Sequence, residues 1–269
     1  MKYFRATSVA EAASAVTAGV TALAGGTALV PEIARDGGGD QTFVDIGQLG
    51  DLGELRLAAD HALLGSLATL DRIAENDSLQ RDFCTLTEAA RAVGNPQVRR
   101  AATLGGNVAL AHAGADLLPA LLALEAEILF RDRAGECRLP VSEFAATGRL
   151  ITGVKIPLRR TARSAFRKFA WRRASGITIV HCAAVCTFER NVVASARLIG
   201  GGAGMRALRL AAAEEVITSH ELTPALIAEA AEAAQGEIGF DPAGWPSAAY
   251  RRRLLAAGIR ETLTKLNTP

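Results

Sequence analysis

Two glycine pairs constrain the fold of this chain more than any other feature. The first lies in ALAGGTAL (22–29) and the second in ATLGGNVALAHAGADLLPALLAL (101–123). Glycine lacks a Cβ and tolerates positive φ, so a strand that ends in Gly-Gly can bring free backbone amides close to a ligand. The N-terminus of a following helix adds a dipole that favours an anion. The two segments predict turns that hold the two phosphates of a dinucleotide, although each alone is also typical of an ordinary tight turn.

Polar side chains close to the glycine pairs could add hydrogen bonds to such a ligand. Thr27, Thr103 and Asn107 flank the glycines directly, and Asp116 follows Asn107 by nine residues. His112 lies in the same segment and is equally well interpreted as a surface loop residue or as a ligand contact. No G-x-G-x-x-G motif follows a strand and no Gly-Lys dipeptide occurs, so neither a Rossmann site nor a Walker A loop is supported.

Side chains that could carry catalysis or metal binding are sparse. The four histidines are isolated, and no G-x-S-x-G motif is present. The four cysteines are too few and too scattered for a disulfide framework. Cys182 and Cys186 lie four residues apart in an apolar, strand-like segment and are expected to be buried small hydrophobes on one face. We predict no catalytic residue, no zinc and no iron–sulfur cluster in this chain, and infer that a bound cofactor does the chemistry.

Composition and charge narrow the class of protein. The chain has 269 residues, 49% of them hydrophobic, and a formal net charge of +2, which favours a large core and offers no case for nucleic acid or an anionic membrane. The basic segment 159–173 holds seven Arg or Lys residues interleaved with aromatics, but a solvated strand edge is favoured over a nucleic-acid strip. No signal peptide and no apolar run of about 18 residues is found, so we expect a soluble, cytoplasmic protein without a membrane span.

The hydrophobic pattern predicts two α+β domains that meet near residue 160. Strands and helices alternate up to that point, followed by an antiparallel sheet and alanine-rich helices. Ser8 with Glu11 predicts a capping box for a helix through Val16. Thr27 is expected to cap a helix over 28–35, and GGGAGMRA (200–207) is expected to form a loop.

These motifs together resemble the FAD-binding medium subunit of molybdenum hydroxylases, the family of the carbon monoxide dehydrogenase flavoprotein and the xanthine dehydrogenase FAD subunit. ALAGGTAL, QVRRAATLGGNVA and ADLLPALLALEA are similar to its three signatures in order and spacing. The later segments LITGVKIP, FRKFAWR, ARLIGGGAGMRALR and YRRRLLAAGIRETL resemble the family too. The resemblance spans essentially the whole chain, and TLGGN with Asp116 at its offset is its most specific part.

The resemblance implies an α+β fold in two domains. Residues 1–160 would form an FAD-binding domain of the vanillyl-alcohol-oxidase (PCMH) type, with subdomains at about 1–50 and 51–160. Residues 161–269 would form a C-terminal flavoprotein domain with a three-stranded antiparallel sheet and helices.

The resemblance also implies which residues contact FAD. The first pyrophosphate loop would comprise Ala22, Leu23, Ala24, Gly25, Gly26, Thr27, Ala28 and Leu29. The second would comprise Thr103, Leu104, Gly105, Gly106 and Asn107. Asp116 would hold the ribityl or adenosine side, Lys168 would lie close to the flavin ring or phosphates, and Leu150 and Val93 would be further contacts. The family usually has Asp, Asn or Ser at position 28 and Ser-Pro at 112–113, so His112 is the candidate replacement for the missing hydroxyl.

By the same implication, the chain is the FAD-carrying electron-transfer subunit of a molybdopterin-dependent hydroxylase or dehydrogenase. It would take electrons from the [2Fe–2S] clusters of a small subunit, reduced by a large molybdopterin subunit, within a dimer of heterotrimers, and pass them to an external acceptor. Two alternatives are a stand-alone flavin oxidoreductase of the same fold and a non-catalytic structural subunit that has lost FAD. Flavin content separates the second alternative from the others, and partner subunits separate the first.

Overall fold

The computed structural model describes residues 1–17, 19–37, 40–110, 115–172, 176–202 and 205–267, with only the backbone at Met205. Its strands are β1 Lys2–Arg5, β2 Val20–Leu23, β3 Thr42–Asp45, β4 Leu55–Leu57, β5 His61–Gly65, β6 Glu127–Asp132, β7 Gly135–Pro140, β8 Leu150–Pro157, β9 Ala162–Ala170, β10 Thr178–Glu189, β11 Val192–Gly202 and β12 Met205–Arg209. Its α-helices are α1 Val9–Ala15, α2 Leu29–Asp36, α3 Leu70–Ala74, α4 Asp77–Asp82, α5 Cys84–Arg91, α6 Pro96–Ala101, α7 Leu104–Leu110, α8 Leu117–Ala123, α9 Ala211–Ile217, α10 Pro224–Glu237 and α11 Ala248–Asn267, with a 3₁₀ turn at Gly50–Gly53.

The chain forms two compact units, and each is discontinuous in sequence. Unit 1 comprises Met1–Arg72, Asn95–Ala111 and Glu125–Pro157. Unit 2 comprises Ile73–Gly94, His112–Leu124 and Leu158–Pro269. Both units mix helices and strands, as the α+β prediction requires. The division of the chain into 1–160 and 161–269 stays a prediction, because it concerns sequence domains and not compact units.

Unit 1 contains two sheets. The first is parallel, in the order β1-β3-β2, and packs with α1 around a small core that includes Ala12, Val44 and Leu150. The second is antiparallel, in the order β4-β5-β8-β6-β7, and buries Leu64 and Val154 completely. The two sheets give unit 1 two separate frameworks on which loops can be fixed.

The predictions for the N-termini of α1 and α2 have different outcomes. At α1, the Ser8 hydroxyl accepts the Glu11 amide at 3.1 Å and the Glu11 carboxylate accepts the Thr7 amide at 2.7 Å, so the predicted cap is confirmed. At α2, the cap position is Ala28 and no side chain caps the helix, so the prediction for Thr27 is wrong. Thr27 lies one residue before the cap, where its hydroxyl does not cap the first-turn amides.

Unit 2 is built on an antiparallel sheet in the order β12-β11-β10-β9. It contains the three predicted strands and a fourth, β12. One face packs against α9, α10 and α11, with Cys182, Leu198, Leu255 and Ile259 among its fully buried residues. The opposite face packs against α5 and α8. The sheet therefore separates an apolar core from a second face on which polar side chains are found.

The loop predicted at 200–207 is wrong for its described residues. β11 continues through Gly202 and β12 begins at Met205, while residues 203 and 204 lie outside the described part of the chain. Gly200 explains why glycine occurs within a strand here, because a Cβ at this position would lie 2.6 Å from the Leu255 Cδ1 atom of α11. Glycine in this strand permits close approach of a helix and does not mark a turn.

Cys182 and Cys186 are both fully buried and belong to the apolar core of unit 2, as predicted. Burial raises the pKa of both thiols, that of Cys186 to about 12. No described helix combines the length and apolarity needed to cross a bilayer.

Candidate functional site

The first glycine pair lies in unit 1, between the end of β2 at Leu23 and the start of α2 at Leu29. Among the described residues, none accepts a hydrogen bond from the backbone amides of residues 25–29. Gly26 has a φ of +67°, a conformation that favours glycine. Consecutive amides at a helix N-terminus that donate to no described residue are suited to an anion, and anion binding at this loop stays a prediction.

The structure brings this first loop against the second glycine segment. A Cβ at Gly25 would lie 1.7 Å from the carbonyl oxygen of Ala101 and 3.3 Å from the Ala102 Cα atom. Only glycine permits this approach, which places the first loop directly beside the residues that precede Thr103. The two motifs are therefore parts of one local arrangement in unit 1.

The second glycine pair is different from the expected turn with free amides. It lies in the first turn of α7, and the amides of residues 104–106 donate to Ala68 O, Ser66 O and Thr103 Oγ1 at 2.9, 2.8 and 3.1 Å. The expectation of free amides here is wrong, because neighbouring carbonyls and the Thr103 hydroxyl already satisfy them. Gly105 serves close packing, since a Cβ would lie 2.7 Å from the Ser66 Cβ atom.

The second glycine segment could contact a ligand through side chains. Thr103 and Asn107 are each 7% exposed. The Thr103 hydroxyl accepts the Gly106 amide and keeps its own proton for donation.

A buried polar cluster lies in unit 2 around Asp116. Its carboxylate accepts from the Lys168 ammonium through Oδ2 at 2.5 Å and from the Thr178 hydroxyl through Oδ1 at 2.6 Å. Lys168 also donates to the Ala92 carbonyl at 3.0 Å. The His181 Nδ1 atom lies 3.8 Å from Asp116 Oδ1. The structure thus brings together two predicted site residues, Asp116 and Lys168, with two that were not predicted.

Strand register and a β-bulge place this cluster on one face of the sheet. Lys168 of β9 is the cross-strand partner of His181 of β10, so both side chains point to the same side. Three residues apart in a regular strand, Thr178 and His181 would point to opposite faces, but the register shifts between Thr178 and Val180. Strict alternation along the sequence could not predict that Thr178 and His181 belong together.

The environment of Asp116 keeps its carboxyl ionised. Burial by itself raises the pKa of Asp116, but the nearby His181 and the donors Lys168 and Thr178 outweigh this effect. The pKa of Asp116 is therefore lowered, and the buried carboxylate acts as a hydrogen-bond acceptor and a weak base.

The remaining predicted contacts lie in different settings. Leu150 begins β8 and is buried in the small core of unit 1, and Val93 follows α5 in unit 2, next to the carbonyl that accepts from Lys168. His112 lies outside the described residues. Within the described part of the chain, no group of three or more His, Cys, Asp and Glu side chains could hold a metal ion.

Comparison with protein families identifies the class. Residues 1–159 match the model described as the FAD binding domain in molybdopterin dehydrogenase, and residues 164–266 match the CO dehydrogenase flavoprotein C-terminal domain. The chain belongs to this family of FAD-binding subunits and is an oxidoreductase subunit with FAD as its cofactor. The resemblance and fold class predicted from the sequence motifs are thereby confirmed.

Individual relatives are similar over almost the whole chain. The 6-hydroxypseudooxynicotine dehydrogenase complex subunit alpha of Paenarthrobacter nicotinovorans is 30% identical, over 90% of this chain and 85% of its own. The putative xanthine dehydrogenase FAD-binding subunit of Escherichia coli K12 is 26% identical, over 98% of this chain and 93% of its own. The solved structure of reconstituted CO dehydrogenase from Oligotropha carboxidovorans has the same fold, with a TM-score of 0.91, 22% identity and coverage of 99% of this chain and 97% of that one.

Proposed function

We propose that this chain carries FAD within a molybdopterin-dependent hydroxylase or dehydrogenase and passes electrons from [2Fe–2S] clusters of a small partner subunit to an external acceptor. A large partner subunit would hold the molybdopterin, in a dimer of heterotrimers. The observation that carries the proposal is the run of five amides at residues 25–29 that donate to no described residue, at the N-terminus of α2 and with Gly25 packed against Ala101. Relatives named as a subunit of a dehydrogenase complex and as the medium subunit of a hydroxylase support the assembly.

The described residues fit an FAD dinucleotide. In unit 1, the amides of residues 25–29 would receive the pyrophosphate, and the Thr103 hydroxyl and Asn107 amide would add hydrogen bonds. Leu150 would be a further contact, and the rest of the 22–29 loop would surround the phosphates. Gly25 and Gly105 keep this arrangement compact, because each lies where a Cβ would collide with a neighbour.

In unit 2, Asp116 would accept from a hydroxyl of the ribityl or adenosine side, and Lys168 would supply positive charge towards the flavin ring or phosphates. Val93 would be an apolar contact, and His112 would stand in for the family's hydroxyl ligand. Bound FAD supplies a redox centre that exchanges electrons singly and in pairs, which suits a junction between iron–sulfur clusters and a two-electron acceptor. The lowered pKa of Asp116 favours this binding role over that of a catalytic base in a stand-alone flavoenzyme.

We also propose a cytoplasmic location. All four cysteines are free thiols, which is typical of a reducing compartment.

The anion site can be tested by placing a negative charge beside it without disturbing the fold. Thr27 is exposed and caps nothing, so Thr27→Glu should fold normally, and its carboxylate near the start of α2 favours the helix dipole. At about 5 Å and an effective dielectric of about 20, two unit charges repel by about 3 kcal/mol, so after screening we expect FAD affinity to fall at least about tenfold. Quenching of flavin fluorescence on titration into the FAD-stripped chain gives the affinity.

The matched control is Thr27→Gln, which has the same shape without the charge and should stay within about threefold of wild type. Raising the salt concentration should recover part of the loss in Thr27→Glu and leave Thr27→Gln unchanged. Equal affinities for the two variants would contradict pyrophosphate binding at this loop. A wild-type chain without flavin that also takes up none would instead be a structural subunit.

The electron-transfer role needs the complex with its partner subunits. In complexes carrying Thr27→Glu and depleted of FAD, substrate should still reduce the iron–sulfur clusters, as followed by electron paramagnetic resonance. Reoxidation of those clusters by the acceptor should be lost and should return when FAD is added in excess. Reoxidation at the wild-type rate without flavin would refute the proposed path through this chain.

A further inference from the structure

His181 is a buried titratable residue whose polar atoms have no described partner. Its side chain is 2% exposed, and neither ring nitrogen has a hydrogen-bond partner among the described residues. Burying an unpaired polar group costs about 1–3 kcal/mol. An apolar residue would avoid this cost, so the presence of an imidazole here points to a role other than packing.

The sheet is shaped to hold this imidazole. His181 lies between two cross-strand partners, Lys168 of β9 and Gly201 of β11. A Cβ at Gly201 would lie 2.8 Å from the His181 Nε2 atom, so only glycine leaves room for the ring. With Nε2 over this glycine, Nδ1 is the nitrogen directed to Asp116, at 3.8 Å from Oδ1. A movement of about 1 Å would bring these two atoms to hydrogen-bond distance.

Among the described residues, the charged groups beside His181 are one anion and one cation. Asp116 is the N-cap residue of α8 and Lys168 comes from β9, whereas β11 contributes only Gly201 at this register. α5, which packs against β9, carries Glu88 and Arg91: Glu88 is engaged by the Phe166 amide and the Lys265 ammonium, and Arg91 by Glu75 and Gln80.

α11 packs on the other face of the sheet, where its Glu261 pairs with Arg167, and its Lys265 pairs with Glu88 of α5. Among the described residues, Asp116 is therefore the carboxylate on which a proton on His181 would act.

We propose that His181 is a positioning residue for Asp116. Protonated His181 draws the Asp116 carboxylate away from the FAD hydroxyl whose hydrogen bond this carboxylate accepts. A carboxylate has about four acceptor positions, of which Thr178 and Lys168 occupy two. Neutral His181 with its proton on Nε2 turns an unprotonated Nδ1 to Oδ1 and leaves the other positions open to the cofactor, whereas protonated His181 donates from Nδ1 to Oδ1 and holds the carboxylate towards β10. This inference rests on the proposed function, in which Asp116 contacts FAD.

The expected consequence is a pH-dependent affinity for FAD, and wild-type and variant side chains at position 181 are compared in a His112→Gln background so that His112, the histidine proposed to contact FAD, does not titrate. The affinity should be measured on the FAD-stripped full-length chain between about pH 5.5 and 8.5, across the usual range of histidine titration. Wild type should bind FAD about tenfold more weakly at the acid end. His181→Asn, which cannot be protonated, should bind with an affinity that varies by less than about threefold over the same range.

Thr178→Val is the matched control, because it removes another donor to the same carboxylate without removing a titrating group. It should weaken binding at every pH and keep the wild-type slope. His181→Gln provides a second non-titrating variant should His181→Asn fold poorly.

A second readout uses the unmutated chain. By linkage, FAD added at the acid end of the range should move the imidazole Cε1 proton signal of His181 towards that of the neutral ring, as observed by NMR and assigned by loss of the signal in either variant.

The outcomes separate the inference from the proposed function. Wild-type and His181→Asn chains with the same pH profile, or a His181 signal that FAD does not move, would overturn the role of His181 while FAD binding stands. A wild-type chain that binds no FAD at any pH would overturn both.

Discussion

Replacing Lys168 by methionine removes one partner of a deeply buried ion pair in unit 2. The side chains of Lys168 and Asp116 are only 10% and 4% exposed, so solvent screens their interaction little. Methionine is close to lysine in length and leaves the apolar part of the packing in place. Thr178 would still donate to the carboxylate, but the ammonium donor would be gone.

The expected cost follows from leaving a buried carboxylate without its counter-charge. Breaking such a pair from one side typically destabilises a protein by about 3–5 kcal/mol. Removing both charges in Asp116→Asn/Lys168→Met leaves no buried ion, so we expect the double variant to lose only about 1–2 kcal/mol. With the single variant Asp116→Asn measured as well, the complete cycle should give a favourable coupling between the two side chains of about 2 kcal/mol or more.

Urea unfolding followed by tryptophan fluorescence measures these values for the correct unit. The two tryptophans of the chain, Trp171 and Trp245, both belong to unit 2 and stack at a centroid distance of 6.3 Å. The midpoint should fall for Lys168→Met and recover in the double variant, with an unchanged slope.

The effect of Lys168→Met should also depend on pH. In wild type the pKa of Asp116 is lowered, so its contribution to stability is present above the unfolded-state pKa and is lost as pH falls through the folded-state value. Without Lys168, the pKa of Asp116 is lowered less, so the variant loses less stability than wild type as pH falls and the carboxyl becomes neutral. The difference between wild type and variant should therefore shrink from pH 7 towards pH 4.

The reasoning would be refuted by additive losses in the double variant. It would also be refuted by a Lys168→Met loss that stays constant with pH, because a packing defect alone does not titrate.

Two further predictions concern packing. Gly25→Ala should destabilise unit 1 by about 3 kcal/mol or more, because the added Cβ would lie 1.7 Å from the Ala101 carbonyl oxygen. Urea unfolding followed by circular dichroism would measure this loss. The control is Gly50→Ala, whose Cβ would have no atom within 4 Å and which should change stability by less than about 1 kcal/mol. Cys182 and Cys186 should resist iodoacetamide in the folded chain at pH 8 and react after unfolding, because burial raises the pKa of both thiols and shields them. Peptide mass spectrometry identifies the alkylated positions. Rapid labelling of either cysteine in the native chain would contradict their burial.

Local patterns carried much of the fold. The cap at Ser8, the antiparallel strands after residue 160 and the buried face with Cys182 and Cys186 depend on residues that are near one another in sequence, and all three are confirmed. Local patterns indicate a loop at the glycines of 200–202. Gly200 is a glycine because Leu255 packs against it, and this contact is not visible in the local pattern since Leu255 lies more than fifty residues away.

The features of the candidate site also divide into those that depend on local sequence and those that depend on distant neighbours. The sequence by itself determined the family and the cofactor, because these depend on short motifs that are recognised without their tertiary neighbours; anion binding by the first glycine loop stays a prediction. Only the tertiary structure decided that the second glycine pair has no free amides, since the acceptors Ser66 and Ala68 come from another part of the chain. It also decided that Asp116, Lys168, Thr178 and His181 form one buried cluster, because strand register and a bulge bring together side chains that alternation along the sequence would separate.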